Sequence, residues 1–461
     1  MIRGAGRRRW PWSWMRGWFH SHRTHIDRRL RLEVGRGAIA RYVVSQKDLP
    51  GFRFVDLYRA IDAHLASVDG VRSIESDNSE SLNKLLHGRG NRWDSRRITK
   101  SPRTAWTVGP DEEVFLPIDR YWMFPDGAAA ARAIIRLRYD REHETAVLAL
   151  AGIDSDRVDA LLKRLIADSS ATSIYRTRLL TLAFESGTRD QFGDVEKAER
   201  LRVSFAVAAP VSRREFVVDR ELHKLLWRNV VDLHERRQVL KTHGVPIRRG
   251  VLLHGPPGTG KTFACRYLCG QLPDTTRIVV AGSALNRIGQ LFDFARTYQP
   301  SVVILEDVDL AFAARDISLY SSSLGDLLDR MDGLRPSDDV GVILTTNSIE
   351  RLEAAIKDRP GRISQCVYFG PPGDTLRRRY LEQYAREYDC AATDVERLVA
   401  MSDGATPAFI KEWVHRTVQI ATEDLDGEAR LRLSQDAFQE AFDEMKRAGD
   451  SSARIVGFLA E

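Results

Sequence analysis

Along the second half of the chain, short apolar runs recur between longer stretches in which apolar residues keep helical spacing. Val251 to Leu253, Ile278 to Val280, Val302 to Leu305, Val340 to Leu344 and Val367 to Phe369 are such runs. Strands that read as continuous apolar runs are buried on both faces, and their alternation with helices predicts a parallel sheet covered on both sides. A helix containing Leu291, Phe292 and Ala295 separates two of the runs. From 373 onward the spacing is helical only. There Thr406 is placed to cap, and Pro407 to open, a helix whose apolar face is Ile410, Trp413, Val414 and Val418.

The first half is patterned differently. Phe54, Leu57, Tyr58 and Ile61 keep helical spacing, and Arg136 to Tyr139 alternate polar and apolar before the turn-forming Asp140 to His143, so that Val147 to Leu150 reads as the return strand of a hairpin. Val158, Leu161, Leu162, Leu165 and Ile166 form an i, i+3, i+4, i+7, i+8 stripe behind the candidate cap Ser155, which predicts an amphipathic helix. Leu179 to Phe184 and Leu201 to Val207 predict further strands of the same region. The expected organisation is a disordered basic tail (1–29), an α+β domain for substrate or partner recognition (30–215), a parallel α/β subdomain (216–372) entered through a charged helical linker at 219–240, and a helical subdomain (373–461).

Composition changes this picture little. Of 461 residues, 43% are hydrophobic and 29% charged, which suits a globular protein of about three domains. No run approaches the ~18 apolar residues of a membrane-spanning helix, and no apolar segment of signal-peptide length follows the basic start, so the cytoplasm is the expected compartment. Cys265, Cys269, Cys366 and Cys390 lack metal-ligand spacing; the first two stand four apart on one helix face, where packing is expected.

Charge narrows the choice of partner. The net charge of +6 comes from 70 basic and 64 acidic residues, but residues 1–29 hold eight Arg and one Asp, which leaves a body of 62 against 63 with a net charge of −1. Binding to nucleic acid would then depend on local patches. The tail mixes its arginines with Trp10, Trp12, Trp14 and Trp18, a combination suited to an anionic membrane surface or to stacking on nucleic acid. Arg89, Arg92, Trp93, Arg96, Arg97, Lys100, Arg103 and Trp106 form a second patch that suits single-stranded nucleic acid, although a solvated loop or subunit contact is the simpler account.

The strongest chemical signal follows Val251 to Leu253: His254 to Thr262 reads HGPPGTGKT, with a helical pattern after it. Glycines let successive backbone N–H groups converge on phosphate oxygens, and the helix N-terminus adds positive potential. Gly255, Pro256, Pro257, Gly258, Thr259, Gly260, Lys261, Thr262 and Phe263 are therefore the expected nucleotide contacts, with Lys261 reaching the β- and γ-phosphates of ATP and Thr262 ligating Mg²⁺. Glu306 and Asp307 end the run Val302 to Leu305, where one carboxylate can hold the metal and the other polarise the attacking water. Thr345, Thr346 and Asn347 end the next run, and the Asn347 amide can touch both γ-phosphate and water. Arg359, Pro360, Gly361 and Arg362 hold two guanidiniums close together on a stiff turn.

These four motifs, in this order, resemble the AAA branch of the AAA+ ATPases over roughly 216–461. GPPGTGKT is similar to Walker A, VVILED to Walker B, Asn347 to sensor 1 and RPGR to the paired arginine fingers, while Ser402 to Ala405 resembles a sensor 2 region with a small residue in place of arginine. The resemblance implies an α/β fold, a P-loop parallel sheet with a helical lid (the AAA+ module), here preceded by an α+β N-terminal domain. It also implies Mg²⁺-dependent hydrolysis of ATP to ADP and phosphate by a homo-oligomer, usually a hexameric ring, that remodels a protein partner. Glu306, Asp307, Asn347, Arg359 and Arg362 are the catalytic residues on this reading, Thr262 and Glu306 hold the metal, and both arginines serve the neighbouring subunit. A nucleic-acid-directed motor or loader, and a slow ATP-dependent scaffold or switch, are the alternatives.

Three departures bear on mechanism. The usual Asp-Glu order is reversed to Glu306-Asp307, as in the mitochondrial Rieske-protein translocase-like group, so the catalytic position carries the shorter acid. Between Gly282 and Phe292 the chain is several residues shorter than the family's pore-loop segment and lacks its aromatic-hydrophobic-glycine triplet. Ser364 stands where an Asp often follows the second finger.

Overall fold

The computed structural model describes residues 25–449 apart from 36–37, 89–97, 99, 126–131, 186–199, 246–249, 281–286, 310–326, 328, 330, 332, 334, 336, 351–362, 392 and 424–430. The chain separates into two compact units, Met1–Ile174 with Glu185–Arg202, and Tyr175–Phe184 with Val203–Glu461.

The first unit contains α1 (Ile26–Val34), β1 (Val43–Pro50), α2 (Phe54–Leu65), β2 (Arg72–Glu75), α3 (Leu82–His87), β3 (Arg103–Thr107), β4 (Glu113–Pro117), β5 (Asp119–Pro125), β6 (Arg132–Asp140), β7 (Thr145–Gly152) and α4 (Ser155–Ala171). Its sheet runs β1-β7-β6-β5-β2, antiparallel throughout, with β3–β4 as a separate hairpin. Both faces of β6 and β7 are apolar, so helices cover both. Ile135, Leu137, Leu148 and Leu150 meet Phe54, Leu57 and Ile61 of α2 and Val158 and Leu165 of α4. Ile134 and Ala149 meet Ile26 and Leu30 of α1 and Leu82 and Leu85 of α3. The predicted hairpin is β6–β7, with the Asp140 carboxylate accepting from the N–H groups of Glu142 and His143 in the turn. The cap of α4 is Asp154, one residue before the expected Ser155; its carboxylate accepts from the Asp156 and Arg157 N–H groups.

Of the basic patches, the tail through residue 24 and Arg89, Arg92, Trp93, Arg96 and Arg97 lie outside the described residues. Trp106, in contrast, is a packed ring rather than a free platform, stacked on Phe54 with centroids 4.8 Å apart. Arg103 is paired with Glu75 at 2.9 Å.

The second unit contains most of β8 (Leu179–Glu185), the second half of β9 (Arg200–Phe205), α5 (Arg220–Leu226), β10 (Gly250–His254), α6 (Lys261–Gly270), β11 (Thr276–Val280), α7 (Ile288–Thr297), β12 (Ser301–Leu305), β13 (Val340–Thr346) and β14 (Ile363–Tyr368), followed by α8 (Asp374–Ala385), α9 (Val395–Met401), α10 (Pro407–Glu423) and α11 (Gln435–Gly449). Its sheet order is β14-β10-β13-β12-β11-β8-β9, and every pairing from β14 to β8 is parallel. The strands β8 and β9, predicted within 30–215, thus extend this sheet, with Leu180 opposite Ile278 and Leu182 opposite Val280. A short apolar run predicts a strand but carries no mark of its partner, which is why their place was not legible. The helices α8 to α11 close around Trp413, whose indole donates to the Phe438 carbonyl at 2.8 Å. All four cysteines are free, and Cys265 and Cys269 are buried on α6. Among the described residues no helix is long and apolar enough to cross a membrane.

Residues 219–240 are a packed element rather than a linker. The helix α5 runs on through a π-helical turn, Trp227–Val231, into Asp232–Glu235. Leu226, Val230 and Val231 join Leu253, Leu268 and Ile343 in the core beneath the phosphate loop. His234 is buried where Gly341 leaves room for it: a Cβ on Gly341 would come within 2.6 Å of the imidazole. Its Nδ1 lies 2.8 Å from the Val230 carbonyl, and burial pushes its pKa down from 6.5.

Acid should therefore weaken the second unit. A histidine whose folded pKa lies below its unfolded value contributes fully above pH 6.5, and its contribution is lost as the pH falls below that point, where the unfolded chain takes up a proton the folded chain refuses. His234→Leu keeps apolar volume and removes the titration. Denaturant midpoints from about pH 7.5 to about pH 5.5 should fall less in the variant than in the parent. An equal fall in both would show that a buried neutral His234 plays no part.

Candidate active site on the phosphate loop

Gly255, Gly258 and Gly260 have φ values of 144°, 79° and 100°, a region open to glycine and closed to most other residues. At Gly255 an added Cβ would lie 2.1 Å from the Phe369 carbonyl oxygen, and at Gly258 it would lie 3.0 Å from both Ala408 Cβ and Thr406 Oγ1. The loop is thus clasped between the end of β14, where the Phe369 N–H donates to the His254 carbonyl at 2.7 Å, and the start of α10, where the Ala408 N–H donates to the Gly258 carbonyl at 3.1 Å. Thr406 caps α10 as expected, accepting from the Phe409 N–H at 3.3 Å.

Lys261 opens α6 and is only 6% exposed. Its Nζ donates to the carbonyls of Gly255 at 2.7 Å and Pro256 at 2.8 Å, curling the loop around its own ammonium. Burial lowers the Lys261 pKa, while Asp307 and Asp309 act in the opposite sense. Neither hydrogen-bond partner carries charge. A largely buried cation beside a helix N-terminus suits an anion, and a phosphate supplies the charge that the carbonyls lack.

Parallel pairing brings the other motifs to this edge. Leu253 pairs with Thr345 and Leu305 with Leu344, so Glu306, Asp307 and Asn347 leave the sheet beside the loop. The two acids then diverge. Burial, reinforced by the neighbouring Asp307 charge, raises the Glu306 pKa, while the Thr262 hydroxyl acts in the opposite sense. Asp307 takes a φ of 47°, a left-handed conformation that non-glycine residues seldom adopt. Its N–H donates to Thr345 Oγ1 at 2.9 Å, and its Oδ1 accepts from Asn347 Nδ2 at 3.3 Å. The Asn347 N–H in turn donates to the buried Asp309 carboxylate at 3.2 Å. Sequence reasoning named Asp307 and Asn347 but missed Asp309 and the hold of Thr345 on Asp307; the only signal was a pair of hydroxyls ending an otherwise apolar strand.

A cavity of about 680 Å³ extends from these residues to the helical subdomain. Its far end is lined by Phe216, Val217, Tyr380 and Tyr384, none of which the sequence reading assigned to a site. The Tyr380 hydroxyl donates to the Val217 carbonyl, Gln383 Nε2 donates to the Glu215 carbonyl at 3.1 Å, and the two tyrosine rings stack at 5.9 Å. Burial pushes the Tyr384 hydroxyl up to about 12 and raises that of Tyr380 as well, so both rings stay neutral. An apolar, flat-faced end opposite a phosphate loop suits a planar base. Its one sequence signal was the i, i+4 tyrosine pair on α8.

Arg359, Pro360, Gly361 and Arg362 lie outside the described residues, as do residues 281–286 of the shortened segment. Ser364 lies in β14, and its hydroxyl donates to the Gly250 carbonyl at 3.2 Å.

Comparison with known proteins bears on this geometry. The family model "ATPase family associated with various cellular activities (AAA)" matches residues 251–371. The chain is similar to "26S proteasome regulatory subunit 8 homolog" of Schizosaccharomyces pombe, 29% identical over 231 residues that cover 46% of this chain and 56% of that one. It is also similar to "Proteasome-activating nucleotidase 2" of Halobacterium salinarum, 30% identical over 226 residues that cover 46% and 54%. A third relative, "26S proteasome regulatory subunit 8 homolog B" of Arabidopsis thaliana, is 29% identical over 222 residues that cover 44% and 51%. The chain thus spans about half the length of the curated relatives it matches. A phosphate loop clasped between strand β14 and the capped helix α10, with acid and amide delivered by neighbouring parallel strands, agrees with that match, and residues 251–371 form an AAA-type ATPase domain.

Proposed function

We propose that this chain is a Mg²⁺-dependent ATPase that works in a ring, most simply of six copies, to remodel a protein. The observation that carries the reading is the buried Lys261 ammonium with Asp307 and Asn347 at the same loop. Lys261 holds the β- and γ-phosphates. Asp307 accepts the proton of the attacking water, and Asn347, already bonded to Asp307, orients that water against the γ-phosphate. The base lies between Phe216 and Tyr384.

Thr262 and Glu306 are neighbouring oxygen donors, a set that fits Mg²⁺. Bound there, the ion would neutralise charge on the β- and γ-phosphates. Glu306 then serves the metal and Asp307 the water. Arg359 and Arg362 complete the site of the neighbouring subunit, a contribution worth roughly 10³ to 10⁵ in rate in phosphoryl transfer generally.

Remodelling of a protein is supported by relatives named as a proteasome regulatory subunit and a proteasome-activating nucleotidase. Residues 30–215 are the part of this chain proposed to hold the partner, and the cytoplasm is the proposed compartment. A slow ATP-dependent switch is the second reading. The observation in its favour is Asp307 itself, one methylene shorter than glutamate and tied to Thr345 and Asn347.

Two outcomes follow. Glu306→Gln should raise the Mg²⁺ concentration needed for half-maximal turnover, whereas Asp307→Asn should bind MgATP as the parent does and hydrolyse it slowly; titrating Mg²⁺ in both variants checks this, and equal dependence would refute the division of labour. For the ring, Arg359→Ala or Arg362→Ala should spare nucleotide binding and cut kcat steeply. Mixed with Lys261→Ala protein, such a variant should regain some turnover, because one subunit supplies the finger and the other the loop. Co-assembled mixtures that stay inactive at every ratio would place completion of the site within one chain.

A further inference from the structure

We propose that the second unit carries another ligand site, a pocket on α5 that takes the phosphate and base of a nucleotide, free or as one unit of a single strand. The pocket, about 630 Å³, lies in the size range of small-molecule sites. Arg213, Arg220, Lys224 and Arg228 line it, against Asp232 as the one acid. Arg220, Lys224 and Arg228 follow an i, i+4, i+8 row along one helical face, all are exposed, and among the described residues none of the three forms an ion pair. Like charges at that spacing repel, so the row lowers the stability of the helix unless an anion offsets it.

Two of the nearby carboxylates are engaged elsewhere. Asp219 caps α5 by accepting from the Leu222 N–H at 2.7 Å, and Asp232 lies 3.6 Å from Arg236. Arg213 donates to the Phe216 carbonyl at 2.8 Å, which holds its guanidinium at the pocket rim.

The pocket also offers a flat face. His223 and Trp227, both half-buried, stack with centroids 5.5 Å apart at an interplanar angle of 25°, and His223 Nε2 lies 3.1 Å from the Tyr267 hydroxyl. Cations beside an accessible aromatic stack are the pairing by which proteins hold a phosphate and its base together; an acidic peptide would use the cations and leave the rings idle.

Position gives the site a consequence. Tyr267, which lines this pocket, stacks on Phe216 at 4.3 Å and 21°, and Phe216 in turn lines the proposed ATP cavity. A ligand in the α5 pocket and ATP in its cavity thus share one ring pair, and by linkage each changes the affinity of the other by the same factor. This coupling rests on the ATPase reading; the pocket itself does not.

The test uses the full chain, in the parent and in a Lys261→Ala background that disables the phosphate loop. Labelled thymidine monophosphate and a labelled short oligothymidylate are titrated at two salt concentrations. Binding of one probe in both backgrounds is expected, at one site per chain and weaker in high salt. Arg220→Gln/Lys224→Gln/Arg228→Gln, all exposed changes, should weaken it about tenfold or more. Trp227→Leu should weaken it with an unchanged salt slope, with circular dichroism confirming the fold; the charge variant alone decides if that protein does not fold. Binding of the mononucleotide identifies a free nucleotide, and binding of the oligonucleotide alone identifies a strand. The proposal is overturned if neither probe binds, if the charge variant binds as the parent does, or if poly-glutamate competes as well as the oligonucleotide. Loss of ATP turnover in Lys261→Ala with probe binding intact would separate this site from the ATP site.

Discussion

The parallel pairing of β10, β13 and β12 is the constraint on which the site depends. With Leu253 opposite Thr345 and Leu344 opposite Leu305, three strands end at one edge, so the chain that leaves each must emerge next to the others. A slip of one residue would turn Asp307 and Asn347 to the other face and leave Lys261 without an acid or amide nearby. That register is held by strands that are buried from end to end, β12 and β13 among them. The apolar core therefore supplies the accuracy that a few polar groups at its rim require.

Polar groups then refine what the register sets. Asp307 occupies a left-handed conformation because Thr345 takes its N–H and Asn347 its carboxylate, and Asp309 fixes Asn347 from below. Such strain persists only where several partners over-determine it. The phosphate loop is held in a comparable way, by β14 on one side and by α10 on the other. Because the Gly258 carbonyl accepts from Ala408 and a Cβ at Gly258 would crowd both Thr406 and Ala408 at 3.0 Å, the helical subdomain and the loop are joined at a point where a side chain fits poorly.

The phosphate loop, the acids and the asparagine were legible because their chemistry depends on residue type at fixed spacing, and Thr406 was legible because caps act locally. What escaped depends on who pairs with whom. Leu179 to Phe184 read correctly as a strand but not as a neighbour of β11. Residues 219–240 look charged along the sequence, yet Leu226, Val230 and Val231 line one buried face and His234 fills the space above Gly341. Phe216, far in sequence from Tyr380 and Tyr384, lines the same cavity only through the packing of α8 near residues 215–218. Trp106, read as part of a basic and aromatic patch, is a half-buried ring packed against the core and stacked on Phe54.

The central claim is that the Lys261 ammonium, buried and bonded only to carbonyls of its own loop, is the charge that receives the nucleotide. Equilibrium binding of ATP to the purified full chain, parent against Lys261→Ala, tests it most directly. Saturable binding by the parent, with loss of most affinity and all turnover in the variant, is the predicted result. A Lys261→Ala protein that binds and hydrolyses ATP as the parent does would contradict the account.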